Sequence, residues 1–224
     1  MINLSRKIIF IYFFVATLEV IGDILGLDIL IYIFKPLLMP LLFIAYYPIY
    51  KAQKSNFSII ILLSIVFSFF GDLSLMLIDH NESLFIIGLA SFLIAHLLYI
   101  ISFYKNIKPL TLEFLKSNIF YILIFIAFYT SLLFILWDNL NEMLIPVFVY
   151  GAVITLMGIF ATLRKTNKNS YILVLFGAIL FICSDTLIAF NKFIFNSDLF
   201  YAQAYIMILY VLAQYFIIRG LSKV

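Results

Sequence analysis

Cysteine and charged residues are both scarce in this sequence. The single cysteine, Cys183, excludes an internal disulfide and a cysteine-based zinc site. Charged residues make up 11% of the 224 residues, whereas soluble domains carry about 25%. So little charge cannot cover a water-facing surface, which excludes a soluble globular domain. The chain also has no basic arm, and a net charge of +3 gives no sign of a nucleic-acid partner.

Apolar residues dominate instead, at 66% of the chain and a mean hydropathy of +1.20. They form long, nearly continuous runs, and about 20 such residues cross a bilayer as a helix. The runs lack the alternation of barrel strands. We therefore expect one all-α membrane domain over residues 1–224, a polytopic bundle of eight transmembrane helices. Polar clusters separate the spans, at roughly 8–25, 28–47, 57–78, 84–104, 118–137, 145–163, 170–190 and 198–218.

The distribution of positive charge predicts the orientation of these spans. Eight spans place twelve of the fourteen lysine and arginine residues in segments on one side, and leave Lys192 alone on the other. Positive residues favour the cytoplasmic side. We expect a multi-pass protein of the cytoplasmic (inner) membrane with both termini in the cytoplasm. The outer segments carry acidic residues: Asp28, Asp79, Glu82, Asp138, Glu142 and Asp198.

A weak internal repeat links the third and seventh predicted spans. Residues 71–75 read Gly-Asp-Leu-Ser-Leu, and residues 184–188 read Ser-Asp-Thr-Leu-Ile. Four spans separate the two segments, so both point the same way across the membrane. The pattern suggests two parallel four-helix halves, as in some transporters, although two short matches also arise by chance.

Five ionisable residues fall inside predicted spans: Glu19, Lys35, Asp72, His96 and Asp185. A charge at mid-bilayer costs at least about 2.5–3.5 kcal/mol, so such residues are candidates for function. A rise of about 1.5 Å per residue places Lys35, Asp72 and Asp185 at nearly one level in the outer half. His96 is expected several ångströms deeper. We predict a cavity at that level, opening outward.

Each candidate also has a simpler explanation. Lys35 could pair with one aspartate only to make insertion tolerable, which leaves the second aspartate unexplained. Glu19 could reach the interface or cap a helix. His96 could form an interhelical hydrogen bond. Two aspartates and a histidine would suit a hard or borderline cation, but a lysine at the same level argues against one, so we expect no metal and no cofactor.

Five short motifs follow one another from residue 35 to residue 214. They are Lys35-Pro36-Leu37-Leu38; Gly71-Asp72 with Leu75; Phe85, Gly88, Phe92, His96 and Tyr99; Ser184-Asp185 with Leu187 and Ala189; and Tyr210 with Ala213-Gln214. In this order, the set resembles the motifs of the YhhN-type lysoplasmalogenase family. The first predicted span, which carries Glu19, lies outside them.

The resemblance implies an eight-helix membrane hydrolase. Animal members of that family cleave the vinyl ether bond of lysoplasmalogens, which yields a fatty aldehyde and glycerophosphocholine or glycerophosphoethanolamine. The family's two intramembrane aspartates, its assigned catalytic pair, correspond to Asp72 and Asp185. The expected partners are therefore a lysophospholipid substrate and membrane lipids.

Vinyl ether hydrolysis is acid-catalysed, so it requires one protonated and one ionised carboxyl group. We predict that Asp72 and Asp185 form this pair, without assigning which of them is the acid. Lys35 would either hold the ionised partner or bind the lipid phosphate. The remaining substrate-binding candidates are His96, Tyr99, Tyr150 and Ser184, of which the first three would order water or the headgroup.

Two other functions fit parts of the sequence. A small-solute or proton-coupled transporter would suit the repeat and the charges at mid-membrane, but these charges cluster toward one side. A non-catalytic lipid-binding protein would bind lipid without turnover. Product formation in detergent separates the enzyme from both.

Overall fold

A computed structural model describes residues 4–81, 83–107, 111–197 and 199–223, and this part of the chain contains no β-strand. Three residues used above to predict the orientation, Glu82, Lys108 and Asp198, lie outside the described residues, as does the side chain of Asp79. The described elements are α-helices joined by short turns, which confirms the all-α prediction.

The structure contains nine α-helices within the described residues. Eight of them are long and apolar enough to cross a membrane, which confirms the predicted number of spans. The exception, α5, is a six-residue helix, so the seventh and eighth predicted spans are α8 and α9. The helices are α1 (Arg6–Leu25), α2 (Asp28–Gln53), α3 (Asn56–Met76), α4 (Ser83–Tyr104), α5 (Leu112–Ser117), α6 (Ile119–Leu136), α7 (Leu144–Leu163), α8 (Lys168–Phe193) and α9 (Ala202–Leu221).

Two helix boundaries differ from the prediction for identifiable reasons. Helix α9 begins at Ala202, not near 198, because Asn196, Ser197 and Tyr201 adopt left-handed backbone angles that form a turn. Helix α2 continues to Gln53 through Pro48, whose ring removes one backbone donor. Neighbouring helices in a membrane bundle tolerate such a loss, so a proline is a weak stop signal there.

Helix α9 lies at the centre of the bundle, against α8, α1 and α2. Its approach to α8 depends on Gly177. A Cβ atom at that position would lie 2.9 Å from the carbonyl oxygen of Ala213 and 2.8 Å from a side-chain carbon of Ile217. Small residues allow membrane helices to pack this closely. In contrast, only Leu136 of α6 is buried, so α6 lies at the periphery with most of its surface available to lipid.

A buried arginine links the helices at the end of α7. The guanidinium of Arg164 donates hydrogen bonds to the carbonyl and the hydroxyl oxygen of Ser170, and that hydroxyl donates to the carbonyl of Gly220 at 2.8 Å. Burial lowers the pKa of Arg164 to about 10, so the side chain stays charged at neutral pH. These contacts join α7, α8 and α9 at one end of the bundle.

Candidate active site

A cavity of about 650 Å³ opens at the other end of the bundle, where α1, α3 and α8 end and α2 and α9 begin. Its volume lies within the range of small-molecule sites, about 300–1,000 Å³. Both aspartates line it, together with Lys35, Ser184 and Tyr210. The cavity therefore brings together the intramembrane charges of α2, α3 and α8.

Asp72 lies near the end of α3 and is 3% exposed. Its Oδ2 atom accepts a hydrogen bond of 2.8 Å from the hydroxyl of Tyr210 on α9. The preceding residue has no side chain because α4 comes very close: a Cβ atom at Gly71 would lie 2.6 Å from the ring of Phe92. The Gly-Asp pair thus combines close α3–α4 packing with a carboxyl group at the cavity.

Asp185, on α8, has a comparable but separate environment. The hydroxyl of Tyr150 on α7 donates a short hydrogen bond to Oδ2 of Asp185. Nε2 of His96 lies 3.8 Å from the same oxygen. The imidazole is fully buried and packs edge-on against Phe181, with 4.6 Å between ring centroids. Each aspartate is therefore held by one tyrosine, and Asp185 also has a histidine beside it.

The cavity contains only some of the residues predicted to bind substrate. Lys35 and Ser184 line it, but the Ser184 hydroxyl donates to the carbonyl of Ile206 and so joins α8 to α9. His96 and Tyr150 neighbour Asp185 but do not line the cavity. The Tyr150 hydroxyl fixes the orientation of the Asp185 carboxyl, whereas the His96 imidazole, at 3.8 Å, is a buried neighbour without a hydrogen bond to a described residue.

Tyr99 lies one layer deeper than the aspartates. Its hydroxyl donates to the side-chain carbonyl of Gln214 at 2.6 Å, and the amide of Gln214 donates to Ser68 at 2.9 Å. Gln214 and Ser68 are each four residues, about one helical turn, from Tyr210 and Asp72. The structure thus places Tyr99 in a buried network beneath the cavity and not in its lining.

Lys35 is 4% exposed and lines the same cavity as Asp23 and Asp72. Its positive charge acts electrostatically on Glu19, Asp23 and Asp72. Among the described side chains, however, Lys35 has no carboxylate within 4.0 Å. A contact ion pair between Lys35 and one aspartate, the simpler explanation of its presence, is therefore not formed.

Two acidic residues of α1 add to this side of the cavity. Glu19 is fully buried, and neither of its carboxyl oxygens has a hydrogen-bond partner within the described chain. Asp23, one turn later, lines the cavity. Sequence reasoning left the role of Glu19 open and did not select Tyr210 as a site residue. Two features of the sequence pointed to these residues: the four-residue spacing of Glu19 and Asp23, and the motif that contains Tyr210.

These groups suit acid–base chemistry. Across the described residues, no three His, Cys, Asp or Glu side chains are grouped as a metal-ligand set. What the site offers is two carboxyl groups, each fixed by a phenol, with an ammonium group on the same wall.

The model of the YhhN family matches residues 30–221. The chain belongs to the YhhN family. The match begins early in α2 and includes Lys35, both aspartates and Tyr210, whereas Glu19 and Asp23 precede it. No curated protein and no solved structure matches the sequence.

Proposed function

We propose that this YhhN family protein hydrolyses the vinyl ether bond of a lysoplasmalogen-type membrane lipid. The observation that carries the proposal is the pair of aspartates on one cavity, each fixed by a tyrosine: Asp72 by Tyr210 and Asp185 by Tyr150. Enzymes that pass through an oxocarbenium-like state commonly divide the work between two carboxyl groups. The family resemblance supplies the bond that is cleaved.

In this mechanism one carboxylic acid protonates the alkenyl carbon that is not bonded to the ether oxygen. The neighbouring carbon, which is bonded to that oxygen, then forms an oxocarbenium ion with it. The second carboxylate takes a proton from water as the water oxygen adds to that cation. In the collapse of the resulting hemiacetal, the second carboxyl group gives its proton to the ether oxygen as the bond between that oxygen and the hemiacetal carbon breaks. The hemiacetal hydroxyl becomes the aldehyde carbonyl, and its proton restores the first acid. The products are an aldehyde and the glycerol hydroxyl of the headgroup, and the net reaction consumes one water molecule.

We assign the acid role to Asp185 and the carboxylate role to Asp72. Lys35 acts on Asp72, and an ammonium group nearby suits a carboxyl that works in its ionised form. Asp185 also accepts a hydrogen bond from a phenol, that of Tyr150, but its nitrogen-containing neighbour is the imidazole of His96. Lys35 then serves mainly to balance the negative charge of the carboxyl groups on α1 and α3. The phosphate of the substrate therefore needs a different cationic partner.

An apolar groove between α2 and α3 would take the part of the substrate's hydrocarbon chain nearest the headgroup. It has a volume of about 210 Å³, and its lining includes Met39, Phe43, Ile65 and Phe69. Met39 follows Lys35 by four residues and Phe69 precedes Asp72 by three, so the groove begins about one turn below the polar site. A single-chain lipid would extend from the cavity into this groove.

The charge distribution supports a location in the cytoplasmic membrane with both termini in the cytoplasm. On the described residues, the end of the bundle with Arg164 also carries most of the lysines and arginines, as the positive-inside rule requires of a cytoplasmic side. The cavity would then open to the outer leaflet. In that orientation the headgroup of a lipid would lie in the cavity, and its hydrocarbon chain would lie deeper in the membrane, along the groove.

A transporter fits the structure less well. Below the aspartates, Tyr99, Gln214 and Ser68 are buried and hydrogen-bonded to one another. A transport path would have to break this network to reach the opposite end. An enzyme requires access from one side only.

The direct test is aldehyde release from lysoplasmalogen by the purified protein in detergent. Asp72→Asn and Asp185→Asn keep the size of each side chain and remove its acid–base function, so each is expected to lower turnover by about 100-fold or more. Asp138→Asn, a change at an exposed residue of a 3₁₀ turn that is not part of the cavity lining, is the matched control. Full activity in either site variant, at normal thermal stability, would refute the paired mechanism.

A further inference from the structure

Lys192 occupies a distinctive position in the last turn of α8. It follows Asp185 by seven residues, which is about two helical turns, so both side chains lie on the same face of the helix. Both line the cavity. The Cα–Cβ bonds of a helix tilt toward its N-terminus, so the long Lys192 side chain starts out in the direction of Asp185.

The side chain of Lys192 rests on an aromatic ring of the cavity wall. Its Nζ atom lies 4.6 Å from the ring centroid of Phe85, which also lines the cavity. A cation held over a ring at such a distance is attracted to the ring face. Phe85 therefore keeps the ammonium group at the cavity surface, where the N–H donors that do not point at the ring are directed toward the cavity.

The Lys192 side chain reaches a bound glycerophospholipid by extending back about one turn toward Asp185. In such a lipid the three glycerol carbons separate the sn-1 ether oxygen from the phosphate, a distance of about one helical turn. With the ether at Asp185, the phosphate lies one turn closer to the cavity mouth, within reach of Lys192. Lysine binds phosphate as a point charge and does not require the planar geometry of arginine.

The second lysine of the cavity is less suited to this task. Lys35 is nearly fully buried and acts on the carboxyl groups of Glu19, Asp23 and Asp72. A phosphate placed there would meet these acidic groups as well as the ammonium. Lys192 lies in the last turn of α8, at the end of the cavity whose lining also includes Asn191, Gln203 and the acidic Asp28.

We propose that Lys192 binds the phosphate of the lipid headgroup and so sets the preference of the site for phospholipids over neutral ether lipids. This inference rests on the proposed hydrolysis for its kinetic test, but the binding test below does not depend on it. Lys192 lies within the residues matched by the family model, but it is not part of the motifs that revealed the resemblance.

The kinetic experiment compares two substrates in the same detergent micelles: 1-alkenyl-glycerophosphoethanolamine and 1-alkenylglycerol, which lacks the phosphate. For the Lys192→Met variant, the preference for the phospholipid, as a ratio of kcat/KM values, is expected to fall by about 10- to 100-fold, mostly through KM. Lys192→Arg is expected to retain most of the preference. Lys116→Met, which removes a lysine of α5 outside the cavity, is the matched control.

A binding experiment separates this inference from the proposed reaction. The saturated 1-alkyl-glycerophosphoethanolamine has no vinyl ether to protonate, so its calorimetric Kd measures recognition alone. Lys192→Met is expected to weaken binding about tenfold or more and to leave 1-alkylglycerol binding unchanged. If the wild-type protein releases no aldehyde but shows this phosphate-dependent binding, only the hydrolysis proposal fails. If Lys192→Met changes both ligands equally or neither, the phosphate site is refuted.

Discussion

The hydroxyl of Tyr210 donates a hydrogen bond to Asp72 across 138 residues of sequence, from α9 to α3. Tyr150 does the same for Asp185, from α7 to α8. Such a hydrogen bond holds the carboxyl group in one orientation, and a fixed orientation of the reacting groups is a large part of catalytic power. The two phenols therefore bear on activity more directly than on binding.

We predict that Tyr210→Phe lowers kcat by about 10- to 100-fold with little change in KM, since a hydrogen bond to a charged group contributes about 1.5–3 kcal/mol. Tyr150→Phe is expected to have a smaller effect, because Asp185 is protonated in the proposed mechanism and a hydrogen bond between neutral groups contributes about 0.5–1.5 kcal/mol. Aldehyde release at saturating substrate measures both. Tyr215→Phe is the matched control, because this tyrosine of α9 packs edge-on against Phe13 away from the cavity. Unchanged kcat in Tyr210→Phe would show that Asp72 is positioned by other contacts.

Mutation of His96 can show whether this residue only joins helices or also contributes to activity. It lies 3.8 Å from Asp185 and is fully buried against Phe181. As a positioning residue it should affect turnover more than stability. We expect His96→Gln to lower kcat by about tenfold or more, in line with the effect of acid–base partners, and to change the melting temperature by only a few degrees.

The second histidine of the chain provides the control for that experiment. His80 is exposed in a 3₁₀ turn, so His80→Gln should leave both quantities unchanged. If His96→Gln instead lowers the melting temperature strongly while the folded fraction keeps its full turnover, the histidine serves only to join helices.

Depth along each helix was predictable from the sequence, but helix adjacency was not. The rise per residue places Lys35, Asp72 and Asp185 at one level, and these residues do line one cavity. Tyr99 is predicted to order water or the headgroup through the motif that it shares with His96. It instead bonds to Gln214 of α9. The partner of a side chain depends on the rotation of each helix and on which helices pack together.

The membrane explains why the helices themselves were easier to predict. With no water to satisfy backbone groups, a run of apolar residues has few options other than a helix. The same argument fails at helix ends, where α2 continues through Pro48 and the chain forms left-handed turns before α9. The two parallel four-helix halves stay a prediction, as do the roles of the cavity residues.

A third prediction concerns the acidic neighbours of Lys35. Removing this ammonium leaves Glu19, Asp23 and Asp72 without their shared cation. Loss of one partner of a buried contact ion pair costs about 3–5 kcal/mol. Lys35 has no carboxylate within 4.0 Å among the described side chains, so Lys35→Met should reduce the free energy of unfolding in detergent by less than that amount. Adding Glu19→Gln, which removes one buried acid, should restore part of that loss.

A double-mutant cycle measures this coupling. Buried groups in one network show interaction energies of about 0.5–3 kcal/mol. Lys51→Met changes an exposed lysine of the same helix and is the control. Strictly additive effects of Lys35→Met and Glu19→Gln would mean that the two residues do not interact, and that Glu19 is buried for a reason unrelated to the cavity.

The close contact at Gly71 connects helix packing to the site, and Gly71→Ala tests it. The added Cβ atom would lie 2.6 Å from the ring of Phe92, which packs edge-on against Tyr210 at 5.8 Å between centroids. Overpacking costs about 1–3 kcal/mol, and here the displaced ring should also disturb the bond from Tyr210 to Asp72. We therefore expect a lower melting temperature together with a loss of kcat.

Gly220→Ala is the matched control, since its Cβ atom would lie 2.5 Å from Val174 at the other end of the bundle. It should lower the melting temperature alone, and Phe92→Leu should partly rescue Gly71→Ala; an equal loss of kcat in both glycine variants would mean that packing at Gly71 has no specific link to Asp72.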